Sequence, residues 1–247
     1  MRNMTETVKQ LIIINIIFFV GTQLVGEVVY KYLSLYYPEN PDFRYWQPLS
    51  HMFMHGGVMH IFFNMFALYS FGTTLEQFWG SKKFLFFYIS CGLGAALIHI
   101  ASNFYFFNEG LNTLIANGIP KSEILNILGQ GKYDSRWAEI LPKSDFQNFI
   151  SSFATPAVGA SGAIYGVLVA FAFMFPEAEL MLLFLPVPIK AKYFVPVIVG
   201  LDLFSGVTGF SVFGDGIAHF AHVGGALFGF LMVWFWKRNQ FNANRWN

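Results

Sequence analysis

Six long apolar runs divide this chain, and they leave it few ways to fold. They cover roughly residues 11–29, 58–78, 84–107, 158–175, 193–210 and 217–236. A helix needs about 20 mostly apolar residues to cross the hydrocarbon layer of a bilayer, and a backbone in lipid must satisfy its own hydrogen bonds. Runs of this length read as six transmembrane helices. The composition agrees: 55% of residues are hydrophobic and 12% charged, where an ordinary soluble domain carries about 25% charge. A net charge of +1 gives no basic field for nucleic acid. Cys91 is the single cysteine, which excludes an internal disulfide framework and a CxxC metal site. The first run is long for a signal peptide and no small-residue cleavage site follows it, so it reads as a retained helix.

Two regions are not spans. Residues 30–57 place Pro38, Pro41 and Pro48 among Tyr32, Tyr36, Tyr37, Tyr45 and Trp46, a composition suited to an interfacial loop. The polar stretch 108–156 holds Lys121, Lys132, Arg136 and Lys143 with five acidic residues. It is expected to be an insert outside the lipid with little structure beyond short helices near 121–128 and 135–141. Together these features predict one all-α polytopic membrane domain over 1–247. Nine of the 15 basic residues (Arg2, Lys9, Lys82, Lys83, Lys190, Lys192, Lys237, Arg238 and Arg245) fall on the side that holds both termini. That side is expected to be cytoplasmic.

Polar residues then recur at one depth. The second span opens with His60 and Asn64, the fourth with Gly159-Ala160-Ser161-Gly162 and Tyr165, and the sixth with His219 and His222. All three helices run from outside to inside in this topology, so the three clusters lie together in the outer part of the bilayer. Intramembrane polar groups are costly and mark function. A serine hydroxyl is a weak nucleophile until a base takes its proton, and a neutral histidine supplies one. Acyl transfer also develops an oxyanion that needs preorganised donors. His60 and Asn64 are four residues apart and share a helix face. Gly162 and Gly166, and Gly225 and Gly229, form small-xxx-small pairs that bring helix backbones together. His222 lies one turn before Gly225, which makes it the better base; His219 is its rival.

These residues carry a family resemblance. Gly159-Ala160-Ser161-Gly162, Ala221-His222-Val223-Gly224-Gly225 and His60-Ile61-Phe62-Phe63-Asn64 resemble the GxSG, AHxxG and HxxxN motifs of the rhomboid intramembrane serine proteases, in the right order and on the right helices. The resemblance implies a six-helix rhomboid-like bundle that cleaves transmembrane protein substrates in or near their membrane segments. It implies a dyad of nucleophile Ser161 and base His222 with no required acid, and an oxyanion hole from His60, Asn64 and the Ser161 backbone N–H. Tyr165 would pack on the catalytic histidine, Glu76 would be structural, and Gly159, Gly162, Gly225 and Gly229 would hold the helices. The fifth helix and a loop over 205–215 would gate the site. No cofactor or metal is implied. A bacterial inner membrane is expected, with the active site opening outward. Many members carry Trp-Arg where this chain has Trp46-Gln47, a departure that bears on how the first loop is anchored.

Other residues are read more plainly. His51 and His55 are four apart, but no acidic ligand falls nearby and there is no HExxH; they are expected to serve backbone groups. Asp202 is expected to reach the outer surface or cap a helix end. Asp215 lies too near the interface to join a triad, and Cys91 is a packing residue. The competing functions are a catalytically silent rhomboid-like binder of membrane proteins and, behind it, a small transporter. A transporter would usually show an internal repeat, and none is present.

Overall fold

The computed structural model describes residues 3–182, 185–210 and 218–243. The first apolar run forms α1 (Glu6–Val25), which Gly26 ends at φ +83°, and α2 (Glu27–Leu33) follows. Short α3 (Gln47–Ser50) and a 3₁₀ turn (His51–Phe53) lead into the second span. That span is α4 (Val58–Ala67) and α5 (Thr73–Trp79), joined without a break by a π turn over Leu68–Gly72. Next come α6 (Ser81–Ala116), α7 (Lys121–Gly129), α8 (Trp137–Ile140), α9 (Lys143–Ala154) and α10 (Ser161–Met174). An antiparallel hairpin of β1 (Glu179–Leu182) and β2 (Leu185–Lys190) precedes α11 (Ala191–Thr208) and α12 (His219–Ala243).

Five of these helices are long and apolar enough to cross a bilayer. The fourth expected span differs. Its helix, α10, has 14 residues, about 21 Å at 1.5 Å per residue, well short of the roughly 30 Å hydrocarbon layer. The reason lies in the residues before it. Leu35 and Ala157 pair as an isolated β-bridge with both hydrogen bonds at 2.9 Å, and the Gly159 N–H donates to the His51 carbonyl at 3.0 Å. The chain is thus held extended as it enters the bundle, and the helix begins only at Ser161.

Close backbone approach fixes α10 between α6 and α12. A Cβ built on Gly225 would stand 1.8 Å from the Gly162 carbonyl oxygen, and one on Gly229 would stand 2.6 Å from the Gly166 Cα. Gly162 and Gly166 in turn admit Ala95 and Cys91 of α6, whose side chains lie 2.5 and 2.4 Å from the same kind of built atom. Cys91 is buried there as packing. Around this seam a core gathers Leu11, Leu68, Phe84, Phe87, Tyr88 and Val167, all essentially buried. Facing outward, Ile17, Leu24, Phe62, Phe86, Val197 and Phe235 are exposed, as side chains against lipid would be.

Glu76 sits where three helices meet. Its two carboxylate oxygens accept the Thr7 and Val8 N–H groups of the first turn of α1, each at 3.0 Å, and Ser81 Oγ donates at 2.6 Å. A helix start leaves such N–H groups without intrahelical partners and favours a negative charge, so one side chain ties α1, α5 and α6 together. The polar stretch after the third span is also built rather than loose. Its Trp137, Phe149 and Phe153 form a second core with Tyr37, Phe107 at the end of the expected third span, and Leu111 on the extension of α6 past it. The expectation of little structure is corrected: α9 was not foreseen, and its apolar face covers α6 where Gly110 admits the Phe149 ring.

Candidate active site

Ser161 is the first residue of α10, so its backbone N–H has no intrahelical acceptor. Its Oγ lies 2.8 Å from His222 Nε2 of α12. Both residues are half-buried. The Tyr165 ring, one turn below Ser161, stacks on His222 with centroids 4.3 Å apart and planes 13° from parallel. The imidazole is therefore confined on one face by an aromatic ring.

His60 and Asn64 lie in the first two turns of α4. One Asn64 amide hydrogen donates to the His60 carbonyl at 2.8 Å, which leaves the second hydrogen of the NH₂ group. The Asn64 side-chain oxygen is buried with no hydrogen-bond partner. His60 Nδ1 takes a long contact of 3.4 Å from the Gly56 N–H and its ring stands edge-on to His55 at 5.0 Å. His60 Nε2 points toward Gly159. That glycine has φ +125°, and a Cβ there would lie 2.8 Å from His60 Nε2 and 3.4 Å from Ser161 Oγ. Gly159 keeps open the space between the imidazole and the hydroxyl.

Behind His222 stands Asp202 of α11. It does not reach the surface: its side chain is 1% exposed. One oxygen lies 3.2 Å from His222 Nδ1 and 2.5 Å from His219 Nδ1, and the other accepts the Tyr165 hydroxyl. The surface or helix-capping role expected for Asp202 is thereby corrected. Local sequence gave little warning, since Asp202 precedes His222 by 20 positions on another helix. The one available signal was an acid inside an otherwise uncharged run. Of the 205–215 loop expected to cap the site, residues 205–208 form the end of α11, and residues 211–215, Gly214 and Asp215 among them, lie outside the described residues.

The anchoring question raised by Gln47 is also answered. Gln47 is fully buried, its Nε2 donates to the carbonyls of Asp42 at 2.8 Å and Lys31 at 3.2 Å, and its Oε1 accepts the Tyr36 N–H at 3.2 Å. An uncharged amide thus anchors the loop. His51 Nδ1 contacts the Gln47 carbonyl at 3.0 Å, the backbone service expected of it, whereas both ring nitrogens of His55, of which the same was expected, are buried without a hydrogen-bond partner among the described residues. Burial lowers both His51 and His55 to about 4, so each is neutral. Among the described residues no cluster of His, Cys, Asp and Glu could hold a metal ion.

A model of the Rhomboid domain matches residues 42–116 and 140–239. The chain belongs to the rhomboid family. The match passes over residues 117–139, which contain α7, and so the rhomboid domain is interrupted by part of the polar stretch. Among curated proteins, this rhomboid is 31% identical over 161 residues to the presenilin-associated rhomboid-like protein, mitochondrial, of Homo sapiens, covering 61% of this chain and 41% of the relative. The same protein of Mus musculus gives the same figures. Rhomboid protein 1, mitochondrial, of Saccharomyces cerevisiae is 27% identical over 183 residues, 74% of this chain and 39% of the relative. The chain thus spans about two fifths of the length of these relatives. The bacterial inner membrane expected from the sequence is overturned by these relatives, each named as a mitochondrial protein. That the protein is integral to a membrane stands on its helices and its family.

Proposed function

We propose that this rhomboid is an intramembrane serine endopeptidase acting on the transmembrane segments of other membrane proteins. The observation that carries the reading is the 2.8 Å approach of Ser161 Oγ to His222 Nε2 at the start of a helix too short to span the bilayer. His222 takes the hydroxyl proton at Nε2 as Ser161 Oγ attacks the scissile carbonyl carbon. The carbonyl oxygen becomes an oxyanion, for which the Ser161 N–H, His60 Nε2 and the free Asn64 amide hydrogen are the donors. His222 then gives its proton to the leaving amine nitrogen, the C–N bond breaks, and an acyl-enzyme remains. Water then gives a proton to His222 Nε2 as its oxygen attacks the acyl carbon, the bond from that carbon to Ser161 Oγ breaks, and His222 returns the proton to Ser161 Oγ, which frees the carboxylate product.

The substrate helix must unwind locally, because an intact helix keeps its carbonyls bonded. Small or helix-breaking residues are therefore the expected preference at the cleavage site. The test is labelling with a fluorophosphonate serine-hydrolase probe, with the adduct located by mass. Wild type should carry the adduct on Ser161, and Ser161→Ala and His222→Ala should not. A folded wild type that stays unlabelled while a control serine protease reacts would refute the reading and favour a binder that does not cut.

A further inference from the structure

Asp202 is a buried acid that the proposed mechanism does not use, and its surroundings are specific. It is brought by α11 to the far side of the imidazole from Ser161, so that Ser161 Oγ, His222 and Asp202 lie in series at 2.8 and 3.2 Å. A carboxylate can only accept hydrogen bonds. Its contact with His222 Nδ1 therefore places the ring proton on Nδ1 and leaves the Nε2 lone pair directed at the serine hydroxyl. The opposite tautomer would put a hydrogen where the base must receive one.

We infer that Asp202 is a positioning residue of this site, which fixes the tautomer and orientation of His222 and stabilises the imidazolium formed when Ser161 is deprotonated. This rests on the reading of Ser161 and His222 as nucleophile and base. No proton passes to Asp202: the Ser161 proton goes to His222 Nε2 and from there to the leaving amine, while the Nδ1 proton stays in its bond to the carboxylate. The other contacts of Asp202 serve the same end. The Tyr165 hydroxyl occupies its second oxygen, and His219 shares the first, so the carboxylate is held on both sides and cannot rotate away. Tyr165 acts twice, since its ring also stacks on His222. The family dyad thus becomes a three-member series here, assembled from α10, α12 and α11.

His219 is the competitor for Asp202, with the shorter contact of 2.5 Å. The experiment must therefore read His222 itself. The full chain in detergent or nanodiscs is reacted with a fluorophosphonate, and the maximal rate kinact is separated from the affinity KI. Asp202→Asn keeps the shape but presents a donor to Nδ1; its kinact is expected to fall by about 10²–10⁴ with KI changed less than about threefold. In Asp202→Ala, sodium formate should restore at least about tenfold of the lost kinact by returning a carboxylate to the vacated space, and chloride at equal ionic strength should not. Nitrogen-15 spectra of histidine-labelled wild type, with His222→Gln to assign the signal, should show His222 protonated on Nδ1. This last reading decides the matter even if the Asp202 variants fail to fold. A proton on Nε2, or an Asp202→Asn kinact within about threefold of wild type, overturns the inference. Wild type that forms no Ser161 adduct overturns the functional reading and this inference with it; a labelled wild type beside an unaffected Asp202→Asn overturns this inference alone.

Discussion

Adding one methyl group at Gly225 should disable the site without touching a reacting atom. Its Cβ would lie 1.8 Å from the Gly162 carbonyl oxygen, and ordinary contact begins near 3.4 Å. The two backbones must therefore part by about 1.6 Å, since neither partner is a side chain able to turn aside. Ser161 precedes Gly162 by one residue and His222 precedes Gly225 by one turn, so the separation falls on the pair that now stands at 2.8 Å. Taken in full it would reach about 4.4 Å, beyond any hydrogen bond. A misplacement of about 1 Å can cost on the order of 10² in rate. Gly225→Ala should then lower fluorophosphonate labelling of Ser161 by at least about 10²-fold. Gly21→Ala in α1, where a Cβ meets nothing within 4 Å, should label as wild type does. Near-normal labelling of a folded Gly225→Ala protein would refute the claim that this glycine seam sets the distance between serine and histidine.

Three further outcomes are expected. Asn64→Ala should slow labelling by roughly 10–10³-fold while leaving the melting temperature nearly unchanged, because the lost side chain already carries a buried, unpartnered oxygen; a large drop in melting temperature with full labelling would make it structural. Gln47→Ala strands the Tyr36 N–H and the carbonyls of Lys31 and Asp42 and should destabilise the 34–46 loop by about 1–3 kcal/mol, seen as faster limited proteolysis there. Stability should also fall in acid. The fold keeps His51 and His55 neutral down to about 4, whereas the unfolded chain takes up their protons from about 6.5. Melting temperature should therefore drop as pH falls from about 6.5 to 4 and level off below; a flat profile across that window would show that other groups decide the acid response.

How much of this was legible depends on how local the signal was. The membrane spans were visible because each is a continuous run, and Ser161, His222, His60 and Asn64 because one depth on three helices drew attention to them. Asp202 carried no such signal: a single acid looks the same whether it reaches for water or lies 1% exposed against two histidines, and only the approach of α11 to α12 tells them apart. Gln47 was equally opaque. Its departure from the family pattern suggested a lost anchor, but an amide has both a donor and an acceptor end and uses both here. The length of α10 was hidden for another reason, since residues 157–160 are as apolar as a helix start and become a strap only through the bonds of Ala157 to Leu35 and of Gly159 to His51.

The seam between α10 and α12 also orders events during synthesis. Ser161 leaves the ribosome 61 residues before His222, an interval of roughly 3–12 s at 5–20 residues per second. Throughout that interval α10 is too short to be a stable span by itself and has only one of the two helices that enclose it. Ser161 is consequently without His222 throughout that interval. Ser161 and His222 can meet only when α12 brings its glycines against Gly162 and Gly166, so under the proposed mechanism the serine gains its base only with the last helix.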